Sequence, residues 1–165
     1  MNQRVLGKTG IKVSEIAFGG VEIGLPYGIR VENTTDMIAE ADAIDLLHSA
    51  INSGINFFDT ARLYGNSESI MGKAFKNRRD KVVLETKCIH FLEKDGSIPK
   101  YYQLKRIIET SLKKSLEELQ TDYVDVFMLH HANLNILENE DISQIFSNLK
   151  KSGITRTIAF SSSIY

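Results

Sequence analysis

A chain of 165 residues that is 42% hydrophobic and 25% charged has the composition of one soluble globular unit, long enough to bury its own core. Its net charge of -1 excludes a basic field for nucleic acid or an acidic membrane surface, and no apolar run approaches the roughly 18–20 residues of a membrane span. The one cysteine, Cys88, excludes an intrachain disulfide and reads as a small core residue. With no signal-peptide pattern after Met1, a cytoplasmic setting is expected.

Two short extended runs, Arg4 to Leu6 and Ile11 to Val13, flank Gly7-Lys8-Thr9-Gly10 and predict a β-hairpin. Apolar runs follow at Ile16 to Phe18, Ile55 to Phe58, Val82 to Leu84, Val124 to Leu129 and Thr157 to Phe160. After the first, they recur about every 30 residues, the length of a βαβ unit. Between them lie helix-period faces. Ile44, Leu47 and Ile51 form the first, with Gly54 as a stop, and Ile70, Met71, Ala74 and Phe75 form the second. Leu104, Ile107, Ile108, Leu112, Leu116 and Leu119 form a longer third. The fourth is Ile142, Ile145, Phe146 and Leu149, with Asn139 as N-cap and Gly153 after the last turn. Residues Glu22 to Asp42 are the least decided stretch, and Gly24, Pro26 and Gly28 predict a loop for its first half.

Strand-helix alternation of this kind means a parallel α/β sheet. Two architectures are open: a doubly wound sheet, or a segment of a (β/α)8 barrel. Neither a Gly-x-Gly-x-x-Gly fingerprint nor a Walker loop is present. Length favours the open sheet, because a full barrel takes about 250 residues.

Chemistry gathers at the C-terminal ends of the runs. The second ends in Asp59, with Tyr64 just beyond. The third ends in Lys87, and the fourth in His130 and His131. Strand ends converge in space, so Asp59, Tyr64, Lys87 and His130 form a candidate site. Carbonyl reduction needs a hydride and a proton. A tyrosine donates that proton more readily when an ammonium favours its phenolate. Lys87 supplies such a charge, Asp59 pairs with Lys87, and His130 orients the carbonyl oxygen. Each residue taken alone reads more blandly: Asp59 as a turn residue, Tyr64 as an amphipathic wall, Lys87 as a solvated lysine, His130 and His131 as satisfied polar groups. The joint placement at successive strand ends favours function. No metal site is expected.

The run from Phe58 to Glu68 (Phe-Asp-Thr-Ala-Arg-Leu-Tyr-Gly-Asn-Ser-Glu), followed by Gly72, resembles the signature of the aldo-keto reductase family. Leu6 to Ser14, leading to Phe18-Gly19-Gly20, is similar to that family's hairpin and first strand, and Asp125 to His130 to its fourth strand. The resemblance covers nearly the whole chain and reverses the preference for an open sheet. It implies the N-terminal part of a (β/α)8 TIM barrel, truncated to about five strands and four helices. Residues 1–165 would form a single partial barrel domain, with the hairpin (1–14) as its floor and strands 1 to 5 with helices 1 to 4 in 15–165. It implies an NADP(H)-dependent oxidoreductase that reduces aldehydes or ketones, or oxidises sugars and alcohols. Tyr64 would be the proton donor, with Asp59, Lys87 and His130 around it. Gly20, Asp59, Ser161 and Ser162 would lie along the cofactor.

Ser161 matches the serine of the family's Ser-Asn pair after the fifth strand, whereas Ser162 replaces the asparagine. The family's last three strands supply an aromatic surface for the nicotinamide and basic groups for the 2′-phosphate. Without them the chain is expected to be a fragment of a longer reductase, with weakened cofactor affinity and open sheet edges prone to self-association. The main alternative is a non-catalytic fragment or interaction module on the same half-fold. A hydrolase on another barrel needs an acid pair or metal ligands. Asp59 and Glu85 do not read as such a pair, because Glu85 shares a face with Lys87 and lies beneath it.

Overall fold

A computed structural model describes residues 1–29 and 31–162. Arg30 and the last three residues of the expected domain, Ser163 to Tyr165, lie outside the described residues. The chain opens on an antiparallel hairpin of β1 (Gln3–Val5) and β2 (Lys12–Ser14), with Arg4 opposite Val13. Five strands follow in one parallel sheet: β3 (Ala17–Gly19), β4 (Phe57–Asp59), β5 (Val83–Lys87), β6 (Val124–Leu129) and β7 (Thr155–Phe160).

Their spatial order is β3-β4-β5-β6-β7, the order of the chain itself. A doubly wound sheet reverses direction at a switch point. A barrel wall adds each strand beside the last. The sequential order therefore decides between the two architectures in favour of the barrel type.

The helices between strands are α2 (Glu40–Asn52), α3 (Ser67–Phe75), α4 (Tyr101–Leu119) and α6 (Glu140–Lys151), at the four expected places. Their apolar faces bury Leu47, Met71, Phe75, Leu104, Ile108, Leu112 and Ile145 together with Phe58, Leu84 and Phe127 of the sheet, and Cys88 is buried among them. Asn139 caps α6 as expected, its side chain accepting from Ile142 N at 3.0 Å. Beyond α6, Gly153 takes φ 82°, a conformation glycine adopts freely.

Two short helices depart from expectation. The stretch after Gly20 is not wholly loop: α1 (Val21–Gly24) forms there and buries Ile23. α5 (Leu134–Leu137) is capped by Asn133, whose side chain accepts from Ile136 N. Four residues are too few to show a helical period, so neither was visible as one. A 3₁₀ turn at Thr34–Asp36 leads towards α2.

The register defines layers on the face opposite these helices. Phe57 pairs with Val83 at the bottom. There Ile11 and Val13 of the hairpin pack against Val83, with Phe57 and Leu6 alongside. Asn56 ties hairpin to sheet, its Oδ1 accepting from Ser14 N at 2.6 Å and its Nδ2 donating to Lys12 O at 3.1 Å. One layer up, Gly19, Asp59, Glu85, Val126 and Thr157 stand in register. Lys87 and Met128 pair in the layer above that. The hairpin thus covers the strands' N-terminal end, and the polar residues stand towards the C-terminal end.

Candidate active site

Asp59 and Lys87 are the last residues of β4 and β5, so backbone register brings them to one edge. Lys87 is 5% exposed, and its ammonium is ion-paired with Asp59. The same Nζ donates to Thr60 O at 3.0 Å. A buried ammonium needs such partners, because burial without them costs far more than the pair returns.

Tyr64 follows β4 in a turn. Its N–H donates to Ala61 O at 3.0 Å, and its carbonyl accepts from Ser67 N at 3.0 Å. α1 presses directly on this turn. A Cβ at Gly24 would overlap Tyr64 O and lie 2.6 Å from Ser67 N, so only glycine permits the approach. The turn places the Tyr64 ring with Lys87 Nζ 4.8 Å from its centroid. The His130 ring meets Tyr64 edge-on, centroids 5.6 Å apart. All four residues picked from the sequence are therefore brought together.

Behind them lies a polar brace that sequence reasoning left inside the motif without a role. Glu68, on the first turn of α3, is 1% exposed. It accepts from Thr86 Oγ1 at 2.6 Å and is ion-paired with Arg62. Thr60 Oγ1 donates to Ser67 Oγ at 2.8 Å. These bonds lock the β4 loop against α3 and β5 from beneath.

Glu85 is half-buried in register with Asp59. Burial first, then hydrogen bonding and repulsion from Asp59, push it up to about 8, against a smaller opposing pull from Lys87. Its carboxyl is thereby biased towards the protonated form beside the Asp59–Lys87 pair. Burial and the neighbouring His131, Lys87 and His90 bring His130 down to about 4, so its ring is neutral and able to donate or accept one hydrogen bond. Burial pushes the Cys88 thiol up to about 12, which keeps it inert.

Gly20 donates its N–H to Asp59 O at 2.9 Å, and a Cβ there would lie 2.5 Å from Met71 Cε and 2.6 Å from Ser67 Oγ. The structure gives this glycine a packing role beside β4. Ser161 and Ser162 follow β7 at the same edge as His130. Ser161 N donates to Leu129 O at 2.8 Å, and Ala132 N donates to Ser161 O at 2.7 Å, so Ser161 brackets the two histidines between those residues.

The sequence reading classed His131 with satisfied polar groups. Instead it is exposed, with φ 66°, and it stacks on His130 with ring centroids 4.6 Å apart. His90, three residues beyond Lys87, meets both rings edge-on. No spacing signal announces this contact, because the loop after β5 sets it.

The family model for the aldo/keto reductase family matches residues 15–164. The chain belongs to the aldo/keto reductase family. It is 34% identical over 165 residues to the uncharacterised oxidoreductase YqkF of Bacillus subtilis, covering 98% of this chain and 49% of that protein. It is also 34% identical over 163 residues to the L-galactose dehydrogenase of Arabidopsis thaliana, covering 94% and 46% respectively. Among solved structures, the holo form of the aldo-keto reductase AKR11C1 from Bacillus halodurans superposes with a TM-score of 0.77 at 32% identity. That match covers 98% of this chain and 50% of the other. The chain thus spans about half the length of the curated relatives it matches. Its five-stranded sheet with sequential strand order has the (β/α) barrel type of fold that the AKR11C1 match shares.

Proposed function

We propose that this chain carries the proton-transfer half of an NADP(H)-dependent carbonyl reductase, acting on aldehydes or ketones or, in reverse, on sugars or alcohols. The observation that supports it most is the Lys87 ammonium, held by Asp59 and Thr60 O and set 4.8 Å from the Tyr64 ring centroid. Bound nicotinamide supplies the hydride. Tyr64 donates its phenolic proton to the carbonyl oxygen, and the Lys87 charge stabilises the phenolate that remains. Neutral His130, edge-on to Tyr64, donates a hydrogen bond to the same oxygen and orients it. Glu68, Arg62 and Thr86 keep the loop that bears Tyr64 in place, so little reorganisation accompanies proton transfer.

In this reading a nicotinamide would lie beside Tyr64, within reach of the Ser161 and Ser162 hydroxyls. Gly20, Asp59, Ser161 and Ser162 stand along the C-terminal edge where it would lie. Ser162, in place of an amide side chain, would reach the carboxamide through water. Residues 1–165 act as a single partial barrel domain in this reading, and the buried, unpaired Cys88 suits a cytoplasmic setting. Among the described residues no helix is long and apolar enough to cross a membrane.

The test is NADPH titration of the chain by nucleotide fluorescence, with NADPH consumption followed on a panel of aldehydes. Weakened but saturable binding, with measurable turnover, is the outcome that supports this reading. Tyr64→Phe should lower turnover by about 10²–10⁴-fold, the range for a positioned general acid, and leave nucleotide affinity unchanged. Equal turnover in the variant would remove Tyr64 from the acid role. Absence of nucleotide binding would favour the second reading, a non-catalytic module on the same half-fold.

A further inference from the structure

Outside the Tyr64 group, the strongest concentration of unused chemistry is the triad of His90, His130 and His131. Their ring nitrogens offer one ligand atom each, and these atoms all lie within 4.8 Å of one another. Three such points share a centre no more than about 2.8 Å from each, against the usual Zn–N length of about 2.0–2.1 Å. Small side-chain rotations would close that gap, and His90 stands exposed on the loop after β5.

Three features of the cluster are unexplained by packing alone. His130 Nδ1 is buried without a hydrogen-bond partner, a rare condition for an imidazole nitrogen. Among the described residues, His48 is the one histidine whose ring bonds to the protein, through Ala74 O at 2.9 Å. His131 takes φ 66°, a conformation a non-glycine residue adopts at a cost. That turn brings His131 back onto His130, where a straight continuation of β6 would carry consecutive side chains to opposite faces. The rings also line one pocket, whose other walls are Phe91, Leu92 and Ile136. Those walls offer no oxygen ligand from their side chains, so hard cations such as Mg²⁺ or Ca²⁺ find no match. Imidazoles alone suit a borderline divalent transition metal.

We propose that His90, His130 and His131 form a three-histidine site for a divalent transition-metal ion of the Zn²⁺ class. Its fourth position opens to the pocket and takes water or a small anion. Buried Cys88 takes no part. The site does not depend on the reductase reading, although it shares His130 with it: a metal held there would withdraw His130 from a carbonyl oxygen.

The test uses the chain without a polyhistidine tag, titrated calorimetrically with Zn²⁺ and optically with Co²⁺. Saturable uptake of one ion per chain at micromolar concentration is expected, with a Co²⁺ visible spectrum of low-coordinate nitrogen ligation and no thiolate charge-transfer band. His90→Ala and His131→Ala should each weaken affinity at least about 10-fold, since even loss of an outer-shell partner costs that much. His48→Ala and Tyr64→Phe should leave it unchanged. Thermal unfolding of each variant separates ligand loss from misfolding, and His90→Ala, on an exposed loop, keeps the fold. No saturable uptake, or uptake that His90→Ala and His131→Ala leave intact, would overturn the site. Metal uptake by a chain that fails to bind NADPH would leave this inference standing while removing the reductase reading.

Discussion

Lys87 and Glu85 stand on one face of β5, two residues apart, and they carry opposite consequences. The upper residue is buried as a charge because Asp59 and a backbone carbonyl meet it. The lower one is biased towards its protonated form, between the apolar floor of Phe57 and Val83 and the Asp59 carboxylate. A second anion beside Asp59 would compete for the Lys87 ammonium, so neutral Glu85 leaves that pair intact. The linkage has a definite sign. Between the ordinary carboxylate value of 4.5 and about 8, folded Glu85 holds a proton that the unfolded chain releases. The stability this contributes is complete below 4.5 and is lost as pH rises through about 8. In a half-open site, screening reduces it to about 2 kcal/mol, or roughly 5 °C in Tm. Glu85→Gln should therefore flatten the fall in Tm between about pH 5 and about pH 9 by that amount. Parallel Tm curves for the two proteins would show that Glu85 titrates normally.

Asp125 does at the level of elements what Asp59 does at the site. It lies on β6, 1% exposed, and its carboxylate joins three neighbours. Oδ2 accepts from Leu84 N on β5 at 2.9 Å and from Arg79 at 2.8 Å, and Oδ1 pairs with Arg156 on β7 at 2.6 Å. The Arg79 guanidinium also lies 4.0 Å over the Tyr123 ring. Removing the carboxylate leaves the buried Leu84 N–H without its acceptor, whereas Arg79 keeps Thr121 Oγ1, Val82 O and Tyr123 O. Asp125→Ala should cost about 1–3 kcal/mol, read from urea unfolding. A loss below about 1 kcal/mol would place the anchor elsewhere. The sequence made the long elements legible for a physical reason: α4 and α6 carry full apolar stripes, and β6 is apolar apart from Asp125 and buried on both faces. The helix α1, the helix α5 and the 3₁₀ turn were not, because tertiary contacts and single caps hold them rather than a periodic face. The candidate site divides in the same way. Asp59, Tyr64, Lys87 and His130 were legible because each ends or directly follows an apolar run. Glu68 was not given its bracing role, since a glutamate on a first helical turn ordinarily reads as a solvated partner of the helix dipole. His90 joins its cluster through a loop path that no local pattern encodes.

Over the whole molecule, the sequential strand order leaves β3 and β7 as the two edges of the five-stranded sheet. They are unequal. β3 has three residues, whereas β7 has six, with Ile158 and Ala159 half-buried and Phe160 53% exposed. An apolar groove lies against β7, lined by Ile136 and Leu137 of α5, Phe146 of α6, and Leu129, Ile158 and Phe160 of the sheet. Among the described residues the outer edge of β7 has no strand partner, and a strand of that length beside an apolar groove is a template for another chain, with Arg156 as its one charge. The 165-residue chain should therefore self-associate through β7, its sedimentation-equilibrium mass rising with concentration above the 18.6 kDa of one copy. Phe160→Lys puts a charge on that edge and removes the largest exposed ring beside the groove, so it should return the mass towards a single copy. Position 160 lies at the end of the strand, is exposed and is not itself a member of the buried core cluster, so the substitution should leave unfolding cooperative. A monodisperse single copy in the unsubstituted chain would remove the edge as an association site. Undiminished association in Phe160→Lys would move the contact away from β7, leaving β3 and its exposed neighbour Ile16, 59% accessible, as the edge to substitute next.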